Sequence, residues 1–307
     1  FEAARDTELT GIDGQSTEDV SADGQVIPGT LRDVVDTVDG RDVTLTLDLD
    51  LQTYVQQKLE KAKANSKASG AEAVVLDAAT GQVLAMANTD TVDPNKNVED
   101  QLDEGKDFEN RSVSHPYEPG SVAKVVTAAA ALQEGVTTPD EVHQVPGSID
   151  MAGVTVNDAW EHGTEPYTTT GIFGKSSNVG TLMIADKLGQ EKYAEYLKKF
   201  GLGNTTGVEL PNESAGSVPD LEQWSGGTFA NLPIGQGQSW TTLQMASVYQ
   251  ALANGGERIE PRIIDSVKGP DGKDEKLEEP EKNQVVSPET AKTTVDMFRA
   301  VFQDDEA

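Results

Sequence analysis

The sequence contains no cysteine and only three histidines among 307 residues. Without cysteine there are no disulfides, cysteine nucleophiles or thiolate metal sites. The three histidines, His115, His143 and His162, lack the helical spacing of a zinc motif. We therefore expect structural or surface roles for them, and neither a metal ion nor a cofactor.

Basic residues are also scarce. The chain has 24 lysine and arginine residues against 53 aspartate and glutamate residues, which gives a formal net charge of -29. A chain of this charge is repelled by phosphate backbones and anionic lipid surfaces, so nucleic acid is not an expected partner. We interpret the acidity as a solvated surface that maintains solubility.

Long apolar runs are missing too. No stretch approaches the roughly 20 apolar residues that span a bilayer. If the native protein is anchored in a membrane, the anchor is expected outside this sequence. The composition, 36% hydrophobic and 25% charged, is that of a globular protein with one large domain or one domain with an appendage.

The first part of the chain divides into short segments. Residues 1–40 are polar pieces interrupted by glycine and proline, with too few apolar residues for a core of their own. From Asp42 an apolar alternation predicts a strand, and Asp48 then caps a predicted helix. Residues 71–88 predict a β-hairpin that turns at Gly81, whereas residues 98–110 have no apolar face and predict a loop.

Helical periodicity dominates the rest. Residues 121–135 predict a helix with a buried apolar stripe, ended by Gly135. Residues 168–189 and 190–203 predict two helices, and residues 240–256 predict a third. Ser287 is the expected N-cap of a further helix, with Pro288 at its first position.

Ser121 and Lys124 have a spacing that permits nucleophilic catalysis. A serine hydroxyl is a poor nucleophile until a base takes its proton, and a lysine one helical turn later shares its face of the helix. The amino end of a helix also favours negative charge on an attacked carbonyl oxygen. Ser-x-x-Lys alone is a weak signal, because about one chance match is expected in a chain of this length.

A second candidate motif, KSSNVG, begins at Lys175. A second hydroxyl, Ser176, can relay a proton, and the amide of Asn178 can bond a substrate carbonyl. The alternative is that Ser176 serves only as a helix N-cap.

Taken together, these strings carry a family resemblance. Ser-x-x-Lys followed by Ser-x-Asn is the order found in serine β-lactamases and penicillin-binding proteins. YEPGSVAK, the hairpin AVVLDAATGQVLAMAN, KSSNVGTLMIA and LPIGQGQSWTTLQMASVYQALANGG together resemble a class B penicillin-binding protein. DAWEHG at residues 158–163 and ESAG at residues 213–216 are similar to the division-specific transpeptidases.

The resemblance implies a role for each motif residue. Ser121 would be the acylated nucleophile, Lys124 its general base, Ser176 a proton relay, and Asn178 a substrate and lysine anchor. Lys124 must then be neutral, although an unperturbed lysine has a pKa near 10.4. The sequence leaves open whether burial or cationic neighbours depress that pKa, or whether the proton passes through Ser176.

The implied function is that of a peptidoglycan DD-transpeptidase. Such an enzyme is acylated by D-Ala-D-Ala stem peptides, cross-links them during septal cell-wall synthesis, and is inhibited by β-lactams. The alternatives are a serine β-lactamase, for which no counterpart of the class A glutamate loop is found, a β-lactam sensor domain, and a non-enzymatic divisome scaffold. The implied location is the extracytoplasmic face of a bacterial cell membrane, with cell-division membrane proteins as partners.

The implied fold is α+β, an antiparallel sheet flanked by helices with a helical subdomain. Residues 1–40 would be the remnant of an N-terminal pedestal domain, and residues 41–307 the transpeptidase domain. The family also implies a third motif, Lys-Thr/Ser-Gly, but the chain has no such tripeptide. The nearest string, Lys292-Thr293-Thr294, is expected on a surface helix, so the resemblance implies that the chain stops before the third motif.

Overall fold

A computed structural model describes residues 1–302 of the chain. Contacts divide it into two compact units, Phe1–Thr46 with Ile263–Glu279, and Leu47–Arg262 with the residues from Pro280 onward. Among the described residues, none of the helices combines the length and the apolar character of a membrane span. The prediction that residues 1–40 and 41–307 form a pedestal remnant and a transpeptidase domain stays a prediction.

Helices and strands both contribute to the fold. The helices are α1 (Glu2–Leu9), α2 (Leu49–Ser66), α3 (Val98–Asp103), α4 (Arg111–Ser114), α5 (Lys124–Gln133), α6 (Thr169–Gly174), α7 (Asn178–Leu188), α8 (Gln190–Lys199), α9 (Gly226–Phe229), α10 (Thr242–Ala253) and α11 (Pro288–Phe298). The strands are β1 (Gln15–Thr17), β2 (Arg32–Val35), β3 (Asp42–Leu45), β4 (Glu72–Leu76), β5 (Val83–Asn88), β6 (Val142–Val145), β7 (Ser148–Met151), β8 (Val154–Asn157), β9 (Glu165–Thr168), β10 (Glu257–Ile259), β11 (Ile264–Lys268) and β12 (Lys282–Gln284). Short 3-10 turns cover Gly120–Ala123, Leu221–Gln223, Leu232–Ile234 and Arg299–Phe302.

The first unit contains α1 and two antiparallel strand pairs. β1 pairs with β2, and β3 pairs with β11 from much later in the chain. The strand predicted from Asp42 is thus confirmed as β3. An ion pair between Arg41 and Glu275, 2.8 Å apart, joins the two sequence segments of this unit.

The second unit contains the predicted hairpin, β4 and β5, in antiparallel register from Glu72 opposite Asn88. Gly81 has the positive φ of 72° that its turn requires. Helix α2 lies along β5, where the side-chain amide of Gln52 donates to the Met86 carbonyl at 3.0 Å and accepts from its N–H at 2.8 Å. The predicted cap is confirmed, since the Asp48 carboxylate accepts from the N–H of Leu51.

A helical core lies around α5, whose residues from Lys124 to Ala131 are all buried. A helix that is buried on every side needs small residues where neighbours approach closely, and four consecutive alanines, 128–131, supply them. Helices α7, α8 and α11 pack against α5. The largest buried aromatic side chains of this core include Trp240, Tyr193 and Tyr196.

Three details differ from the sequence-based expectations. Residues 98–110 are not all loop, because Asn97 caps the short helix α3 and its buried Gln101 bonds the backbone of Asp93. The single helix predicted over residues 168–189 is two helices, α6 and α7. The helical position of Lys292-Thr293-Thr294 in α11 is confirmed, but Thr294 is fully buried rather than on the surface.

Candidate functional site

Ser121 lies in a tight turn, Gly120–Ala123, that leads directly into α5; we call it the serine turn. Its side chain is exposed, whereas Lys124, the first residue of α5, is 2% exposed. Within residues 1–302, the hydrogen bonds of the serine turn are made by its backbone. The hydroxyl thus lies at the amino end of a buried helix, open to an approaching molecule.

A second segment, residues 232–237, holds the serine turn in place. The N–H of Gly120 donates to the carbonyl of Gly235 at 3.0 Å, and the N–H of Gly237 donates to the Glu118 carboxylate at 2.8 Å. Gly235 has a φ of 84°, and a Cβ built on it would lie 1.9 Å from the Gly120 carbonyl oxygen. The close approach therefore requires glycine at this position.

The ammonium group of Lys124 is bonded on all three of its donor positions. Nζ lies 2.6 Å from the backbone oxygen of Ser176, 3.0 Å from its Oγ, and 2.7 Å from Oδ1 of Asn178. A lysine ammonium has three donors, so these acceptors satisfy it completely. The first candidate motif thus contacts the second across two different helices.

Burial has a direct electrostatic consequence for Lys124. Desolvation disfavours the charged ammonium and lowers the pKa of Lys124 to about 8, although the nearby negative charge of Asp158 opposes the effect. A lysine with this pKa exchanges its proton near neutral pH, which an ordinary surface lysine does not. The sequence left open whether burial or cationic neighbours depress the pKa of Lys124, and in the structure burial is the dominant cause.

The second motif occupies the break between α6 and α7. Ser176 has a φ of 57°, in the left-handed region that few non-glycine residues adopt. The alternative interpretation of Ser176 as an N-cap is wrong, because Ser177 caps α7 by accepting from the N–H of Gly180 at 2.9 Å. Asn178 begins α7, and its Nδ2 donates to the carbonyl of Asn157 at 3.1 Å.

Asp158 lies directly behind this motif, and sequence reasoning gave it no role. Its side chain is completely buried. Ser177 Oγ donates to its Oδ2 at 2.8 Å, the Val179 N–H donates to its Oδ1 at 3.0 Å, and His162 Nε2 lies 3.0 Å from Oδ2. The DAWEHG string that contains both Asp158 and His162 was the available signal.

The structure places the predicted site residues as follows. Lys124, Ser176 and Asn178 are in direct contact, and Ser121 lies one turn before Lys124. His143 is buried, and its Nε2 lies 2.9 Å from Oγ1 of Thr169. Among residues 1–302, His143 has no hydrogen bond to the four predicted site residues. The catalytic roles of the four residues stay predictions.

Comparison with known proteins agrees with the resemblance seen in the sequence. Residues 71–307 match the penicillin binding protein transpeptidase domain. The chain is 57% identical over 305 residues to penicillin-binding protein PbpB of Mycolicibacterium smegmatis, covering 99% of this chain and 47% of that protein. It is 32% identical over 256 residues to the peptidoglycan D,D-transpeptidase FtsI of Escherichia coli K12, covering 83% of this chain and 42% of that protein.

A solved structure is also similar. Penicillin-binding protein 3 of Mycobacterium tuberculosis, complexed with aztreonam, superposes with a TM-score of 0.86 at 53% identity, covering 94% of this chain and 67% of that one. The predicted penicillin-binding transpeptidase fold is thereby confirmed. The chain spans about half the length of the curated relatives it matches. With the family match over residues 71–307, these similarities show that the chain belongs to the penicillin-binding protein transpeptidase family.

Proposed function

We propose that this chain carries the acyl-transfer site of a division-type peptidoglycan D,D-transpeptidase, with Ser121 as the nucleophile. The observation that carries the proposal is the buried Lys124, one turn after Ser121, with its amine held by Ser176 and Asn178. The related FtsI is named a peptidoglycan D,D-transpeptidase, and the related penicillin-binding protein 3 binds aztreonam. Both properties are transferred to this chain as part of the proposal.

In the proposed reaction, the Ser121 hydroxyl attacks the carbonyl carbon between the two D-alanines of a stem peptide. The hydroxyl proton passes to the neutral Lys124 amine, directly or through the Ser176 hydroxyl, and then to the departing amino group of the terminal D-alanine. An ester joins Ser121 to the shortened peptide. The amine of a second stem peptide attacks that ester and forms the cross-link, and the proton it loses passes through Lys124 to the departing Ser121 oxygen. A β-lactam acylates the same hydroxyl when its ring amide opens.

Asn178 links the lysine to the substrate side of the site. Its Oδ1 accepts from Lys124 and its Nδ2 donates to Asn157. We propose that this amide also contacts the bound stem peptide.

The proposal also covers location and domain organisation. The protein would act at the extracytoplasmic face of the cell membrane beside other cell-division proteins. Residues 1–40 would belong to a pedestal domain, and residues 41–307 to the transpeptidase domain.

The lifetime of the acyl-enzyme distinguishes the proposed function from β-lactam hydrolysis. Intact mass measured over time after brief exposure to penicillin should show a penicilloyl adduct that persists for many minutes, because a transpeptidase excludes water from the ester until an amine arrives. An adduct that forms and disappears within seconds would assign the site to a β-lactamase. An adduct that never forms would favour a scaffold.

Asn178→Ala should reduce stem-peptide turnover by at least about tenfold while leaving the folded protein intact. Asn178 is half-buried, so water can replace the hydrogen bonds of its amide at low cost, whereas its bond to Lys124 is needed in the proposed reaction. Turnover and melting temperature are measured on the same preparation. A large fall in melting temperature with normal turnover would instead make Asn178 a structural residue.

A further inference from the structure

The loop that follows β8, residues 158–163, contains a buried acidic group that the proposed reaction does not use. The Asp158 side chain is 0% exposed and that of His162 is 3% exposed. A buried carboxylate is strongly destabilising unless its oxygens are hydrogen-bonded. The groups bonded to Asp158 therefore show what this residue holds in place.

Within residues 1–302, two of the three hydrogen bonds of the Asp158 carboxylate go to the second motif. Ser177, which donates to Asp158 at 2.8 Å, is the residue between Ser176 and Asn178. Val179, whose N–H donates at 3.0 Å, is the next residue after Asn178. Asp158 thus bonds the residues that directly follow Ser176 and Asn178, the two residues that bind Lys124. The carboxylate also lies at the amino end of α7, where a negative charge is favoured by the free N–H groups.

The third bond fixes the carboxylate itself. His162 Nε2 lies 3.0 Å from Asp158 Oδ2, and the imidazole stacks on Trp160 with ring centroids 5.2 Å apart and planes at 20°. The end of β8 adds a direct contact with Asn178, because the Asn178 amide donates to the carbonyl of Asn157, immediately before Asp158. Together these contacts leave little freedom to the segment 176–178.

That segment needs such support because its backbone is strained. Ser176 has a φ of 57°, a conformation that is unfavourable for a non-glycine residue and persists only where its surroundings enforce it. Ser176 nonetheless presents both its backbone oxygen and its Oγ to Lys124. Without the bonds from Ser177 and Val179 to Asp158, segment 176–178 would relax. Lys124 would then lose its acceptors on Ser176 and Asn178.

We propose that Asp158, oriented by His162, is a positioning residue that holds Ser176 and Asn178 against Lys124. The proposal rests on the function proposed above and names a residue that acts through the motif without contacting the substrate. Ser177 becomes the connecting residue, which gives the middle position of the Ser-Ser-Asn motif a role as well.

The electrostatics of the site provide a readout that a purely structural role would not move. Burial lowers the pKa of Lys124, and the charge of Asp158 works against that effect. Among the described residues, two titratable groups face Lys124 and Asp158: His162 from the same loop and Tyr167 from β9. Glu165 is bonded to the Tyr167 hydroxyl, and Lys175 lies over the Tyr167 ring. Removing the carboxylate charge should therefore lower the pKa of Lys124 further.

Asp158→Asn preserves the shape of the side chain and removes its charge, and Asp158→Ala removes the contacts as well. We expect the pKa of Lys124, followed by NMR of its labelled side chain, to fall by at least about half a unit in Asp158→Asn. We expect penicillin acylation at about pH 9, where Lys124 is neutral in both proteins, to slow by at least about tenfold in Asp158→Ala, through loss of a positioned proton-transfer pair. Asp77→Asn is the control, because the Asp77 carboxylate also has three hydrogen-bond partners, two backbone N–H groups and a hydroxyl at 3.0, 2.8 and 2.9 Å, in the β4–β5 turn.

The outcomes separate this inference from the proposed function. An unchanged Lys124 titration in Asp158→Asn, or parental acylation in Asp158→Ala, would overturn the positioning role. The NMR titration decides the inference even where the parent protein is not acylated, a result that would count against the proposed function alone. Should Asp158→Ala not fold, Ser177→Ala removes one contact of the carboxylate and should slow acylation in the same direction; parental acylation in that variant would also contradict the inference.

Discussion

Replacing Ser121 with alanine should eliminate the penicilloyl adduct completely. Ser121 is the exposed hydroxyl at the amino end of α5, one turn before the buried Lys124. Alanine removes the attacking oxygen and leaves the helix intact, since alanine is the best helix former. Intact mass after incubation with penicillin measures the result. The variant should retain the parental mass, while the parent gains one penicilloyl group.

Ser114→Ala is the control for this substitution. Ser114 is a nearby serine whose hydroxyl donates to Glu109 at 2.7 Å, and it has no contact with Lys124 among the described residues. Its replacement should leave the adduct unchanged. Penicilloyl mass on Ser121→Ala at the parental level would remove Ser121 from the reaction and leave the function proposed for the site without its nucleophile.

Replacing Lys124 should slow acylation by at least about a hundredfold, the usual scale for loss of a positioned proton-transfer group. Lys124→Ala removes the amine, and Lys124→Met removes it while filling most of the buried volume. The rate constant for labelling by a fluorescent penicillin is the quantity to compare. Lys187→Ala is the control, because Lys187 is a half-exposed lysine paired with Glu141 at 2.8 Å.

The acylation rate of the parent should also depend on pH through the same lysine. Burial lowers the pKa of Lys124 to about 8, so below that pH most of the amine is protonated and cannot accept the serine proton. The rate should therefore rise as pH increases through about 8 and level off above it. Parental rates in both Lys124 variants, or a flat profile between pH 6 and 9, would mean that another group is the base.

Local signals in the sequence predict much of this fold. Asp48 and Ser287 cap their helices as expected, and Gly81 provides the positive φ of the β4–β5 turn. These features depend on residues a few positions apart, so composition and spacing are sufficient to find them. Ser121 and Lys124 are likewise close together in the sequence, which is why their position at one helix start can be predicted from it.

The contacts between motifs could not be predicted in the same way. Lys124 reaches Ser176 across 52 positions, and the left-handed backbone of Ser176 is set by tertiary contacts because no local rule favours it. The sequence does not reveal the break between α6 and α7, because the apolar periodicity continues from one helix into the next. The sequence gives Ser177 and Asp158 no role for a related reason, because the partners of a buried carboxylate are established only when the chain has folded.

The most direct test of the central claim is to locate the acyl group. Trypsin cleaves after Arg111 and Lys124 and after Lys175 and Lys187, so Ser121 and the Ser176–Ser177 pair fall on different peptides, 112–124 and 176–187. Mass mapping of the penicillin-treated protein should find the adduct on peptide 112–124, with fragmentation placing it on Ser121. An adduct on peptide 176–187, or elsewhere in the chain, would contradict the account.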